Sequence, residues 1–388
     1  MISAPNAPAA APDRPAAVDA IDWPAVARTI LTSRAIDRTE ERELHPAGLV
    51  KYQFSAKGHE LAQVLLGHHL DHPHDGATVY YRSRPFMLTA GLTPEEAMAA
   101  TMARAGSPSG GRDIGVVFSL PPRGRQTILP MSGDVGAQYT PAVGWAHGIR
   151  YHAEILGDVD WRGAIAVALG GDGSCATPGF WASLNMAATG RLPMLFFIED
   201  NGYAISVPAT FQTPGANIAA NLASYEGVLI LDGDGTDPGV AAGLIDRAVT
   251  HVRSGAGPCL LRLVVPRLCG HSIQDNQSYK DEAAVQAEES RDPLPRLKAF
   301  LVPSRMDEAA WDRLVADAEA DVAAARLRAE AQPEGDPATS ATRVFSSASA
   351  DAVGGSTSSP ALPHDVVQIV GGTRPDGVGL VADWTTSP

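Results

Sequence analysis

Residues 168–206 read ALGGDGSCATPGFWASLNMAATGRLPMLFFIEDNGYAIS, and they hold the side chains best suited to chemistry. Glycines at 171 and 173 let the backbone approach a phosphate, and free N–H groups beside Ser174 can meet its oxygens. Asp172 stands between those glycines and would repel a bare anion. A divalent cation between carboxylate and phosphate reverses that sign, and Mg²⁺ asks for oxygen ligands at about 2.0–2.1 Å. Twenty-nine residues on come Asn201, Gly202 and Tyr203, so the Asn201 amide oxygen and the Tyr203 carbonyl can complete the set with Asp172. Two other readings stay open at this point. Gly171-x-Gly173-x-x-Ala176 also matches a dinucleotide-binding loop, with Glu199 ending the next strand where a ribose-binding acid would sit. Alone, it also fits an ordinary strand-to-helix turn. Asp172 in register with Asn201 and Tyr203 favours a metal-bound diphosphate.

Continuous apolar runs must carry these loops. Gly163–Gly170, Pro193–Glu199, Val228–Leu231 and Cys259–Val265 are β-prone and bounded by turns, as strands buried on both faces are. Between them, Thr177–Thr189 and Val240–Arg253 follow a helical period. The alternation predicts an α/β fold, a doubly wound, mostly parallel sheet with helices on both faces, and places ligands at the carboxyl ends of the strands. A first helix is predicted over Trp23–Glu43, a surface loop over Gly106–Gly124 and a long helix over Asp307–Ala331. Residues 1–20 read as a disordered leader, 21–331 as the folded domain, and 332–388 as a low-complexity linker and tail ending near a short VVQIV run.

The chain has 388 residues, 30 basic against 44 acidic, a net charge of -14 that argues against nucleic acid and anionic membranes. Cys175, Cys259 and Cys269 form no CxxC pair, which suits a reduced cytoplasmic protein. His68-His69-Leu70-Asp71-His72-Pro73-His74-Asp75 is too compact for a metal site and reads as an exposed turn. Asp232-Gly233-Asp234-Gly235-Thr236-Asp237 lacks the closing Glu of a calcium loop and reads as a strand-to-helix turn.

The GDG segment followed by NGYAIS resembles the thiamine-diphosphate motif of alpha subunits of 2-oxo acid dehydrogenases, and the likeness spans roughly residues 25–345. It implies the thiamine-diphosphate-binding fold, with thiamine diphosphate and Mg²⁺ as cofactors. By that resemblance Tyr81 and Arg82 contact the diphosphate, joined by Gly171, Gly173 and Ser174. Ser132, Gly133 and Val135 belong to the segment whose apolar residue supports the bent cofactor. By the same resemblance Arg267 and His271 bind the cofactor from the loop at the active-site entrance, His271 contacting the diphosphate, with Asp275 and Tyr279 nearby, and His271 is also the candidate catalytic residue. The resemblance further implies oxidative decarboxylation of a small 2-oxo acid (branched-chain or pyruvate). The acyl group would pass to a lipoyl arm on an acyltransferase component. A beta subunit, in an assembly of two alpha and two beta subunits, would supply the carboxylate that activates the cofactor.

The chain departs from the family at several points. Gly111–Val117 lacks the usual Met and His, and the helix after GDG lacks an acid. Of Ser132, Asp134, Ala137 and Gln138, two differ from the potassium-binding set of some branched-chain members, so no such ion is expected. Ser272 occupies a position phosphorylated in some eukaryotic members. An acetoin dehydrogenase alpha subunit, a non-catalytic assembly subunit and a nicotinamide-dependent dehydrogenase are the alternatives.

Overall fold

The computed structural model of the protein describes residues 18–113 and 120–339. Expectations for most of the leader, for Ile114–Val117 and for the tail beyond 339 lie outside the described residues. Six strands form one parallel sheet: β1 (Gly76–Thr78), β2 (Thr127–Ile128), β3 (Ala166–Gly171), β4 (Met194–Asp200), β7 (Leu229–Asp234) and β8 (Cys259–Val264), in the order β2-β1-β3-β4-β8-β7. A small antiparallel ribbon, β5 (Tyr203–Ala204) with β6 (Val207–Pro208), follows β4.

The continuous apolar runs sort by alternation onto two faces. Val167, Leu169, Leu195, Phe197, Leu261 and Leu263 face one core. Ala166, Ala168, Met194, Phe196, Ile198 and Leu260 face the other. Along the chain the helices are α1 (Trp23–Thr39), α2 (Glu60–His69), α3 (Arg84–Thr89), α4 (Pro94–Thr101), α5 (Tyr139–Arg150), α6 (Pro178–Gly190), α7 (Ile218–Asn221), α8 (Pro238–Arg253), α9 (Glu282–Glu289), α10 (Pro293–Leu301) and α11 (Glu308–Glu330). Residues of α5, α6 and α7 cover the second core, while those of α1 to α4, α8, α10 and α11 cover the first. The expected doubly wound sheet with helices on both faces is what forms.

Several boundaries differ from expectation for physical reasons. The first helix ends at Thr39 and continues as a π-helical turn over Glu40–Leu44. β7 runs on to Asp234, because its whole length pairs with β8 as far as Val264. β1 and β2 were not expected, since strands of three and two residues carry no readable periodicity. The His68–Asp75 segment is not simply an exposed turn. His68 and His69 close α2, and Asp75 is fully buried, accepting Arg253 Nη2 at 2.6 Å and the Ile165 N–H at 2.9 Å. The Asp232–Asp237 segment is a strand-to-helix turn: Asp237 caps α8 through the Val240 N–H, with Pro238 in the first turn.

By contacts the chain divides into a unit ending at Asp336 and a remainder from Pro337, of which one short 3-10 turn, Pro337–Thr339, is described. Residues 333–335 belong to the first unit, where Pro333 and Gly335 pair with backbone at Ala105 and Ala103. Among the described residues no helix is long and apolar enough to cross a membrane.

Candidate cofactor site

Five loops leave the carboxyl ends of β1, β2, β3, β4 and β8 and meet around one cleft. Its lining holds Tyr81 and Arg82 after β1, and Ser132, Gly133 and Val135 after β2. Gly171, Gly173 and Ser174 come from the end of β3, Asn201 and Tyr203 from beyond β4, and Arg267 and His271 from beyond β8. The chain enters β1 and β2 on one side of β3 and leaves for β4 on the other, so the cleft lies beside a topological switch point. Tyr80, Met131, Asp134, Gln138, Ala204 and Ile205 also line it. Twelve of the thirteen sequence-predicted residues therefore share one wall.

The thirteenth, Asp172, lies in the floor between two lining glycines and is 5% exposed. Its Oδ1 accepts the Asn201 N–H at 3.3 Å, and its Oδ2 has no hydrogen-bond partner. Burial first, then the charge of Asp200, raises its carboxyl well above the ordinary range. Asp200 itself is held by Arg262 Nε at 2.6 Å. A buried carboxylate oxygen without a donor is costly, and a cation is the group that would satisfy it. Among the described residues no cluster of three or more His, Cys, Asp or Glu side chains could hold a metal. A cation here would take one carboxylate plus neutral oxygens, the donor set that suits Mg²⁺.

The backbone supports close approach. A Cβ on Gly173 would fall 2.5 Å from the Ala204 Cβ, so only glycine lets the β5–β6 ribbon press against this loop. Gly202 adopts φ +80, which turns the chain so that Asn201 Oδ1 accepts the Tyr203 N–H at 3.1 Å.

Arg82 and Arg267 are 2% and 1% exposed, and their charges face the cleft while their donors are largely spent on protein. Arg82 gives Nη1 to the Ser55 carbonyl at 2.5 Å and Nη2 to the His271 carbonyl at 3.1 Å. Arg267 gives Nη1 to the Ile205 carbonyl at 2.8 Å and Nη2 to the Tyr279 hydroxyl, and its buried Nε has no partner. Ile205 has φ +55, so Arg267 pins a backbone turn that a non-glycine residue rarely adopts. The positive charges thus come with loops they clamp.

His271 packs edge-on against Phe54 and Tyr81, with ring centroids 5.2 and 5.5 Å away. Its backbone N–H donates to Asp275 Oδ2 at 2.6 Å. Burial, then the charges of Arg82 and Arg267, push its imidazole down to about 4, so the ring is neutral at pH 7. Val135 is 55% exposed at the rim, an apolar side chain open to the cleft.

Sequence reasoning missed the buried layer beneath the cleft. His59 and Glu199 are both fully buried, and Tyr80 and Gln63 donate to Glu199 Oε2 at 2.9 Å each. Nothing in the spacing of His59 marks it. Glu199, the ribose ligand of the nicotinamide alternative, gives its Oε2 to these donors and does not line the cleft.

Residues 28–338 match the dehydrogenase E1 component family. The chain is 32% identical over 280 residues to the 2-oxoisovalerate dehydrogenase subunit alpha of Bacillus subtilis, covering 71% of this chain and 80% of that one. It is 30% identical over 303 residues to the pyruvate dehydrogenase E1 component subunit alpha of Zymomonas mobilis, covering 77% and 82%. Over 185 residues it is 30% identical to the 3-methyl-2-oxobutanoate dehydrogenase subunit alpha of Mycobacterium tuberculosis, covering 47% of each chain.

Proposed function

This chain belongs to the dehydrogenase E1 component family as a thiamine-diphosphate-dependent 2-oxo acid dehydrogenase alpha subunit, and from that premise we propose how its cleft works. In our reading Asp172, the Asn201 amide oxygen and the Tyr203 carbonyl hold Mg²⁺ against the diphosphate. The observation that carries it is the buried, unpartnered Oδ2 of Asp172 at the end of β3.

When bound, thiamine diphosphate supplies a nucleophilic thiazolium carbon and an electron sink for loss of CO₂ from a 2-oxo acid. The residues do the rest. Backbone at Gly171, Gly173 and Ser174 approaches the diphosphate, and the charges of Arg82 and Arg267 offset its negative charge. Ser132 and Gly133 border the ring-binding end, where Val135 offers an apolar support. Tyr81 and His271 form an aromatic wall at the entrance. The neutral His271 ring is able to accept a proton or donate a hydrogen bond to substrate at pH 7.

Pairing with a beta subunit is a property of the family. We further propose an assembly of two alpha and two beta subunits, and acyl transfer to a lipoyl group on an acyltransferase component. A branched-chain 2-oxo acid or pyruvate is the substrate, and three unpaired cysteines suit a cytoplasmic setting. The test is decarboxylation by the chain mixed with its beta subunit, thiamine diphosphate, Mg²⁺ and an artificial electron acceptor. Turnover of 3-methyl-2-oxobutanoate or pyruvate supports the reading; turnover of neither, with both subunits folded and associated, overturns it.

A further inference from the structure

Asn201 is held from behind by a histidine. His59 ends the loop before α2 and is fully buried. Its Nε2 lies 3.3 Å from Asn201 Nδ2. The amide orientation is read from a second contact, in which Asn201 Oδ1 accepts the Tyr203 N–H at 3.1 Å. The amide nitrogen therefore faces His59. That nitrogen only donates, so His59 Nε2 presents its lone pair and the ring proton sits on Nδ1. On the Nδ1 side stand Glu199 Oε1, 3.4 Å away and without a hydrogen-bond partner, and the Tyr80 hydroxyl, 3.5 Å away and itself donating to Glu199 Oε2. Carboxylate, imidazole and amide thus line up from the core to the cleft.

We propose that His59 is a positioning residue for the cation site, holding the Asn201 amide nitrogen inward so that its oxygen stays available as a ligand. Held by the Tyr203 N–H alone, the amide rotates more easily and presents its N–H₂ group, which repels a cation. Accepting from that group with Nε2 adds a second restraint against the rotation. The Glu199 charge beside Nδ1 favours the proton there and polarises the ring and the amide it accepts from, as outer partners do for metal-bound groups. This inference rests on the Mg²⁺ reading of Asp172 and Asn201.

The test uses the full chain with its beta subunit, saturating thiamine diphosphate and Mn²⁺ as the probe, with bound metal read by electron paramagnetic resonance. His59→Leu is expected to weaken Mn²⁺ binding about 10- to 100-fold, the usual effect of removing an outer partner. His59→Gln, which can accept from Asn201 and donate to Glu199, should stay within about threefold. Asn201→Asp removes the N–H₂ group that His59 holds. Adding His59→Leu to that variant should therefore change affinity by less than about threefold, whereas a merely structural role would cost the same factor in both backgrounds. If His59→Leu does not fold, Glu199→Gln decides, with an expected loss of about threefold or more. Wild-type affinity in His59→Leu or Glu199→Gln, or equal losses in the two backgrounds, overturns the role of His59. A wild type that takes up no Mn²⁺ with thiamine diphosphate overturns the cation reading itself.

Discussion

Replacing Asp172 by Asn should make the metal-free protein more stable while destroying its response to cofactor. Asp172 is buried, one of its oxygens has no partner, and burial together with Asp200 raises its carboxyl above the ordinary range. A buried acceptor left unpaired costs about 1–3 kcal/mol, more when charged, so removing the charge should return an amount of that order. For a chain of this length, about 1 kcal/mol moves Tm by about 1–2 °C, giving an expected rise of about 2–5 °C. The sign follows from linkage. The folded state holds this proton more tightly than the unfolded chain, so wild type loses stability as pH rises from about 4 through the raised value. The advantage of Asp172→Asn should be full at pH 8 and vanish near pH 4. Thiamine diphosphate with Mg²⁺ should raise the wild-type Tm by mass action and leave the variant unmoved. Scanning calorimetry at pH 8 and pH 4, with and without ligands, reads all of this. A variant less stable than wild type at pH 8 without ligands would refute the reasoning, as would an equal ligand-induced shift.

Gly173→Ala should fold but lose thiamine diphosphate affinity by about tenfold or more, because its Cβ would meet Ala204 and displace the β5–β6 ribbon; calorimetric titration checks it, and unchanged affinity counts against the close approach. Arg82→Met leaves the buried Ser55 carbonyl with only the weak Cys269 thiol and removes the donor to the half-buried His271 carbonyl, so urea unfolding should show a loss of about 1–3 kcal/mol, and a loss under about 0.5 kcal/mol would contradict the clamp. In the cofactor-free protein His271 should titrate near 4 by NMR. Its folded value lies below the unfolded one, so its contribution to stability is full above about pH 6.5 and is lost as pH falls toward the folded value. An anionic diphosphate nearby should move the titration up, and an apo value at or above the ordinary one would refute the burial argument.

The parts legible in the sequence are those with long-range pattern. Runs such as the first five residues of β4, Met194 to Ile198, are apolar on both faces because helices cover both, and that signature survives in one dimension. The Asp172 to Asn201 interval was readable because one strand-helix-strand unit fixes where both ends emerge. β1 and β2 were not readable, being too short to show a period. Helix α5 carries Gly144 and Gly148, which lower its propensity and hide it. His59 was invisible for another reason. Its importance lies wholly in what the fold places around it, Asn201 on one side and Glu199 on the other, 142 and 140 positions away in the chain. The clamping roles of Arg82 and Arg267 were hidden likewise, since a sequence names a cation but not the carbonyls it will find.

The most direct test of the central claim is a calorimetric titration of thiamine diphosphate into the chain with its beta subunit, run with and without Mg²⁺. The expected result is tight binding that requires the metal and disappears in Asp172→Ala. Binding of equal strength without Mg²⁺, or in Asp172→Ala, would contradict the assignment of Asp172 as the cation ligand.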